Sequence, residues 1–156
     1  MTAEDRPTLS QLPSPDAGAE IAGLDPETGY ERICFLLTYQ VFPWDIERSL
    51  ELALFNTYAI PSISRLLART GEFVERPRKR YDDTVLILAE IGESGLESER
   101  GQAALGRINA MHGRFRITNE DYLYVLSTFV LEPTRWIDRW GWRRPSEHEK
   151  LANFHF

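Results

Sequence analysis

The sequence predicts an all-α, multi-helix domain, and three observations carry that prediction. No segment sustains the two-residue alternation of a half-buried strand, and no hairpin dipeptide lies between β-branched runs. Apolar residues instead recur at helical spacing in segment after segment. Helix-stop and helix-start residues also fall where that periodicity breaks, among them Gly71, Ser98, Asn119 and Ser146.

Taken in order, residues 1–24 are rich in Pro, Ser, Gly and acids, a composition too poor in apolar groups to bury a core. They are expected to be a disordered lead-in to a helical domain over residues 25–156. Asp25 and Pro26 read as the cap and first turn of a helix over 27–42 that ends ahead of Pro43. The run IERSLELALFNTYA sets Ile46, Leu50, Ala53 and Leu54 on one face. Pro61 interrupts it, and ISRLLART follows until Gly71 stops it. Beyond the basic connector ERPRKR, a helix over about 81–91 gathers Val85, Leu88 and Ile91.

Ser98 caps the next helix, which contains ALGRINAMHGRF, and Asn119 caps the one after. That helix reaches Pro133, then resumes or kinks through TRWIDRW to Gly141. Ser146 opens the last helix, SEHEKLANFHF, which carries Leu151, Phe154 and Phe156 to the end with no Gly, Asn or basic last turn. It is either docked on the core or an element that continues in a longer parent.

Composition excludes several function classes. A net charge of −6 argues against a general nucleic-acid binder, which needs a basic surface. The single cysteine, Cys34 in ERICFLLTY, allows no internal disulfide and reads as a buried, inert thiol. No secretory signal opens the sequence, and the longest apolar run is broken by Gln40 and Pro43, short of the roughly 20 residues a membrane span needs. A cytoplasmic location is the expectation.

Few residues offer chemistry. His112 shares a helix face with Leu105, Ile108 and Phe115, so its imidazole is expected to face the core. There a neutral imidazole serves either as an iron ligand or as a core histidine satisfied by a carbonyl. Arg80 and Thr84, four apart, share a face that could hold an anionic group; the plain reading pairs Arg80 with Asp83 or solvent. Trp136, Trp140 and Trp142 among Arg135, Arg139, Arg143 and Arg144 could stack on bases, but core packing suits an acidic chain better. His148 and His155 lie seven apart, the wrong spacing for a helical metal pair.

Four segments together resemble one family: FPWDIERSLELALFNTYAIPSISRLLARTGEF (42–73), RPRKRYDDT (76–84), INAMHGRFRITNEDYLYVLSTFVLEPTRWI (108–137) and GWR (141–143). They are similar to the MpaB-like and rubber oxygenases, the family of the ER-bound fungal oxygenase of mycophenolic acid biosynthesis and of latex clearing protein. The likeness runs over residues 30–156. It implies a helical fold around haem b, with iron as the metal, and dioxygen chemistry that cleaves a C=C bond in an isoprenoid or other hydrophobic substrate, small or polymeric. It places His112 at the proximal iron ligand, and Arg80 and Thr84 at residues that support the haem and the catalysis. Some members are membrane-anchored, so peripheral membrane contact belongs to the same expectation.

Two departures go with it. Family chains continue well past the point matching Phe156, so this chain reads as incomplete at its C-terminus. Ser64 and its neighbours offer no counterpart to the glutamate proposed as catalytic base in rubber oxygenases. The alternatives are a non-catalytic helical protein that binds lipid or prenyl groups, and an inactive truncated member that associates with a partner.

Overall fold

The computed structural model describes residues 16–156, and those residues form helices and connecting turns with no strand. The expectation of a disordered lead-in over residues 1–24 does not hold for Ala17–Gly23. Residues 1–15 lie outside the described part, and α1 (Ala17–Gly23) is helical, capped by the Asp16 carboxylate accepting from the Ala19 N–H at 3.0 Å. Its Ile21 is 3% exposed, which gives this short helix a core to pack into.

Asp25 caps a turn rather than a helix. Its Oδ1 accepts from the N–H groups of Glu27 (2.8 Å) and Thr28 (3.3 Å), and α2 (Tyr30–Leu36) begins only after Gly29. The predicted single helix over 27–42 is therefore a turn, then α2, then a π-helical segment over Leu37–Val41. Pro43 begins α3 (Pro43–Thr57) at a first-turn position where a missing N–H costs nothing.

Of the predicted stripe on α3 only Ala53 is fully buried. Asp45, Ser49, Ala53 and Thr57 are buried, while Ile46, Leu50 and Leu54 are partly covered. These small or polar side chains face inward because α3 packs along α8. Ser49 and Thr57 each return a hydroxyl to their own helix, on the carbonyls of Ile46 and Leu54 (2.7 Å both), and Asp45 accepts from the Trp136 indole N–H at 3.1 Å.

After α4 (Pro61–Thr70), Gly71 takes φ +71°, a left-handed turn that favours glycine, and leads into the single turn α5 (Glu72–Glu75). The next helix, α6 (Pro77–Ser94), is longer at both ends than predicted. Pro77 starts it, and the i, i+4 pairs Arg78–Asp82 and Lys79–Asp83 support the supposed basic connector as its first turns. A tight turn joins it to α7 (Glu99–His112), capped by Ser98 as predicted. A Cβ on Gly101 would lie 2.0 Å from the Gly95 carbonyl oxygen, so only glycine allows this approach. Helices α6 and α7 pack against each other as a hairpin.

The cap of α8 (Asn119–Trp140) is Thr118, one residue before the predicted Asn119. Pro133 lies inside it without ending it, and the Asn153 amide donates to the nearby Val130 carbonyl at 3.0 Å. The last helix, α9 (Glu147–His155), opens with a Ser146–Glu149 capping box.

The core is built from Ile21, Ile33, Leu36, Phe42, Ile137 and Ala152, so it lies where α1, α2, α8 and α9 meet. Residues 141–143 lock that junction. The Trp142 indole donates to the Val41 carbonyl at 3.1 Å, and Arg143 holds Glu149 with two bonds of 2.6 and 2.8 Å while covering the Phe42 ring. Core packing was expected of the tryptophans, but Trp140 and Trp142 are 61% and 71% exposed; only Trp136 is largely covered. Burial, reinforced by the Glu31 charge, pushes the Cys34 thiol up to about 12, which makes it unreactive at neutral pH. No described helix is long and apolar enough to cross a membrane.

Candidate functional site

The α6–α7 hairpin decides where the sequence-predicted site residues meet. Arg80 and Thr84 sit in the first turns of α6, and His112 is the last residue of α7. Because the second helix returns along the first, its final residue comes back beside the start of α6. The Arg80 guanidinium donates to the Thr84 hydroxyl, and that hydroxyl donates to the Arg80 carbonyl at 3.2 Å. The expected alternative partner of Arg80, Asp83, is taken by Lys79. Among the described residues Arg80 has no carboxylate in an ion pair, although its side chain is partly covered. It rests instead on the Phe73 ring, 5.2 Å from the centroid.

His112 is half-buried, and Phe115, its predicted neighbour on a core face, is 43% exposed. The stripe Leu105–Ile108–His112–Phe115 thus borders the core rather than entering it, because α7 packs against α6 but little else covers it. The imidazole meets Tyr122 of α8 edge to face, with centroids 5.7 Å apart. Burial, and secondarily the positive charge of Arg80, holds its pKa below the ordinary histidine value. The ring is accordingly neutral at physiological pH, the form whose nitrogen lone pair can bind a metal.

Does this surface suit a haem? One imidazole, a guanidinium and a hydroxyl on adjacent turns are the donor types that an axial position and a propionate require. Enclosure is a different matter. The two best-formed clefts among the described residues have volumes of about 40 and 220 Å³, below the roughly 300–1,000 Å³ of ligand pockets. Beside the imidazole, Tyr122 and Leu126 share a face of α8 and are 40% and 59% exposed. The donor set fits; residues 16–156 offer it an apolar face rather than a closed cavity. No group of three or more His, Cys, Asp or Glu is gathered for a metal among the described residues, so His112 is the single candidate ligand here.

The sequence analysis did not single out Tyr122, Phe73 or Tyr58. Each contact joins separate elements: α7 to α8, α5 to α6, and, at 5.3 Å between rings, Tyr58 to Phe73. A large aromatic one or two turns from a candidate cation was the sole available signal, and Phe73 gave it.

Over 117 residues, 71% of the chain, the sequence is 37% identical to the ER-bound oxygenase mpaB of Penicillium brevicompactum. It is equally similar to the ER-bound oxygenase mpaB' of the same fungus, and 35% identical to the mpaB of Penicillium roqueforti (strain FM164). The match takes in 30%, 28% and 39% of those proteins, so the chain spans well under half the length of these relatives. No family model and no solved structure matches it.

Proposed function

We propose that this chain carries the haem-binding part of an MpaB-like oxygenase, one that cleaves a C=C bond of a hydrophobic substrate with dioxygen. The identity to oxygenases over most of the chain supports the oxygenase class. The observation that carries the cofactor reading is the neutral His112 imidazole beside a guanidinium that forms no ion pair among the described residues.

In this reading His112 would be the residue that holds the iron, with Tyr122 packed on the ring to limit its rotation. Arg80 would donate hydrogen bonds to a propionate, its guanidinium held in place by the Thr84 hydroxyl and the Phe73 ring. Haem, when bound, supplies the activation of dioxygen. The exposed apolar residues of α8, Leu123 and Leu126 among them, provide a dry surface for an alkene.

The test is a haem titration of the purified protein followed by absorption. A Soret band is expected for the wild type, lost in His112→Ala and reduced in occupancy in Arg80→Leu. A spectrum identical in wild type and His112→Ala would overturn the assignment. A second reading draws on a specific feature. Leu86, Leu123, Leu126 and Phe154 are 56–75% exposed, and so large an apolar display suits a non-catalytic protein that binds lipid or a partner. Colourless protein that self-associates with rising concentration in sedimentation would favour it.

A further inference from the structure

The polar side chains that open α6 bond almost entirely to their own neighbours. Among the described residues Arg76 pairs with Glu72, Arg78 with Asp82, Lys79 with Asp83, and Arg80 bonds to Thr84. Tyr81 reaches farther. Its phenol donates to the Glu51 carboxylate of α3 at 3.0 Å, 30 positions away in sequence. Glu51 is itself braced, because its second oxygen lies 2.7 Å from the Arg48 guanidinium. Helices α3 and α6 do not pack along one another, so this hydrogen bond acts as a strut between them. It also marks the phenol: the bond to Glu51, ahead of burial, holds the Tyr81 pKa above the ordinary tyrosine value.

A strut at Tyr81 acts on Arg80 through helix geometry. Successive positions on an α-helix leave the axis about 100° apart, so tying one side chain fixes the direction of the next. Holding Tyr81 toward α3 therefore sets where Arg80, and Thr84 one turn on, point. That direction matters to the candidate site. Arg80 lies over the Phe73 ring, 5.2 Å from its centroid, and Phe73 is a wall of the 220 Å³ cleft between α4 and α5. The Arg80 charge also acts on the His112 imidazole. We propose that Tyr81, braced by Glu51 and Arg48, is a positioning residue that sets the rotation of α6 and so brings Arg80 onto Phe73 and beside His112. Its consequence for haem rests on the reading of Arg80 and His112 given above; the placement of Arg80 does not.

NMR of the haem-free protein tests the placement. In the wild type the Phe73 ring current is expected to shift the Arg80 guanidinium protons upfield. Tyr81→Phe keeps the aromatic ring and removes the donor, while Glu51→Ala removes the acceptor. Each should abolish most of that upfield shift and move the His112 pKa up as the Arg80 charge withdraws. Glu51→Gln retains a carbonyl acceptor and should restore the wild-type signals. The double variant of Tyr81→Phe with Glu51→Ala should match either single one, because both delete the same bond. Unchanged circular dichroism in each variant separates loss of the strut from loss of fold. Arg80 signals that keep their wild-type positions in folded Tyr81→Phe overturn the proposal, and so do single-variant effects that add in the double. A haem titration gives the second readout: affinity should fall about tenfold in Tyr81→Phe and recover in Glu51→Gln. A wild type without a Soret band would sink the haem reading, and the NMR signals would still decide the role of Tyr81.

Discussion

Two parts of the molecule are built on opposite principles. Around α2, the start of α3 and α9, side chains are buried to the limit: Ile33, Leu36 and Ala152 at 0% and Phe42 at 1% exposure. Around α4 to α7 few residues are buried, chiefly Ile91, Gly101 and Ala104, and Val74 and Leu86 stand 86% and 68% exposed. The first region holds the fold together; the second carries His112, Arg80 and the apolar cleft. Uncovered cations and apolar surfaces weaken packing, yet a ligand requires them, so stability and the candidate chemistry occupy different helices.

The contrast should break most visibly at Phe42. Its ring packs with Trp142 (5.8 Å between centroids) under the Arg143 guanidinium. Phe42→Ala is expected to cost about 3–5 kcal/mol in urea unfolding. A loss under about 1 kcal/mol would mean the closed region is not where stability resides.

Glu149 sharpens the same point. Burial acts to raise its pKa, but the hydrogen bonds from Arg143 and from the Ser146 backbone prevail and hold it below the ordinary carboxylate value. A carboxylate lowered in the folded state contributes stability that is complete above its unfolded pKa and disappears as pH falls through the folded one. Glu149→Gln should therefore cost roughly 3 kcal/mol at pH 7 and flatten the acid limb of the stability–pH curve. An unchanged acid limb in that variant would show that other carboxylates govern acid unfolding.

The smallest effect belongs to the open region. Leu86→Ala should lower the unfolding free energy by no more than about 0.5 kcal/mol, because the side chain loses little contact. A cost above 2 kcal/mol would reveal a covered Leu86 and erase the contrast between the two halves.

Several features were legible from local chemistry. Ser98 and Ser146 cap their helices because a short hydroxyl reaches the N–H three residues on, and Gly71 ends α4 because only glycine enters the left-handed turn cheaply. The face of α3 was misread for a reason equally physical. Periodicity ranks positions by side-chain hydrophobicity, whereas close packing against α8 selected Ser49 for its size. Asp25 misled because one carboxylate can cap a helix or a turn with the same bonds.

The sequence alone determined the all-helical class, the helix ends at Gly71, Ser98, Gly141 and Ser146, and the spacing of Arg80 and Thr84, since these depend on contacts within a few residues. Tertiary structure decided the rest. It returned His112 to the Arg80 end of the hairpin, left Trp140 and Trp142 in solvent, and placed Phe73 under a guanidinium at the edge of a cleft. Such outcomes follow from which helix covers which, a property of long-range packing that no local pattern encodes.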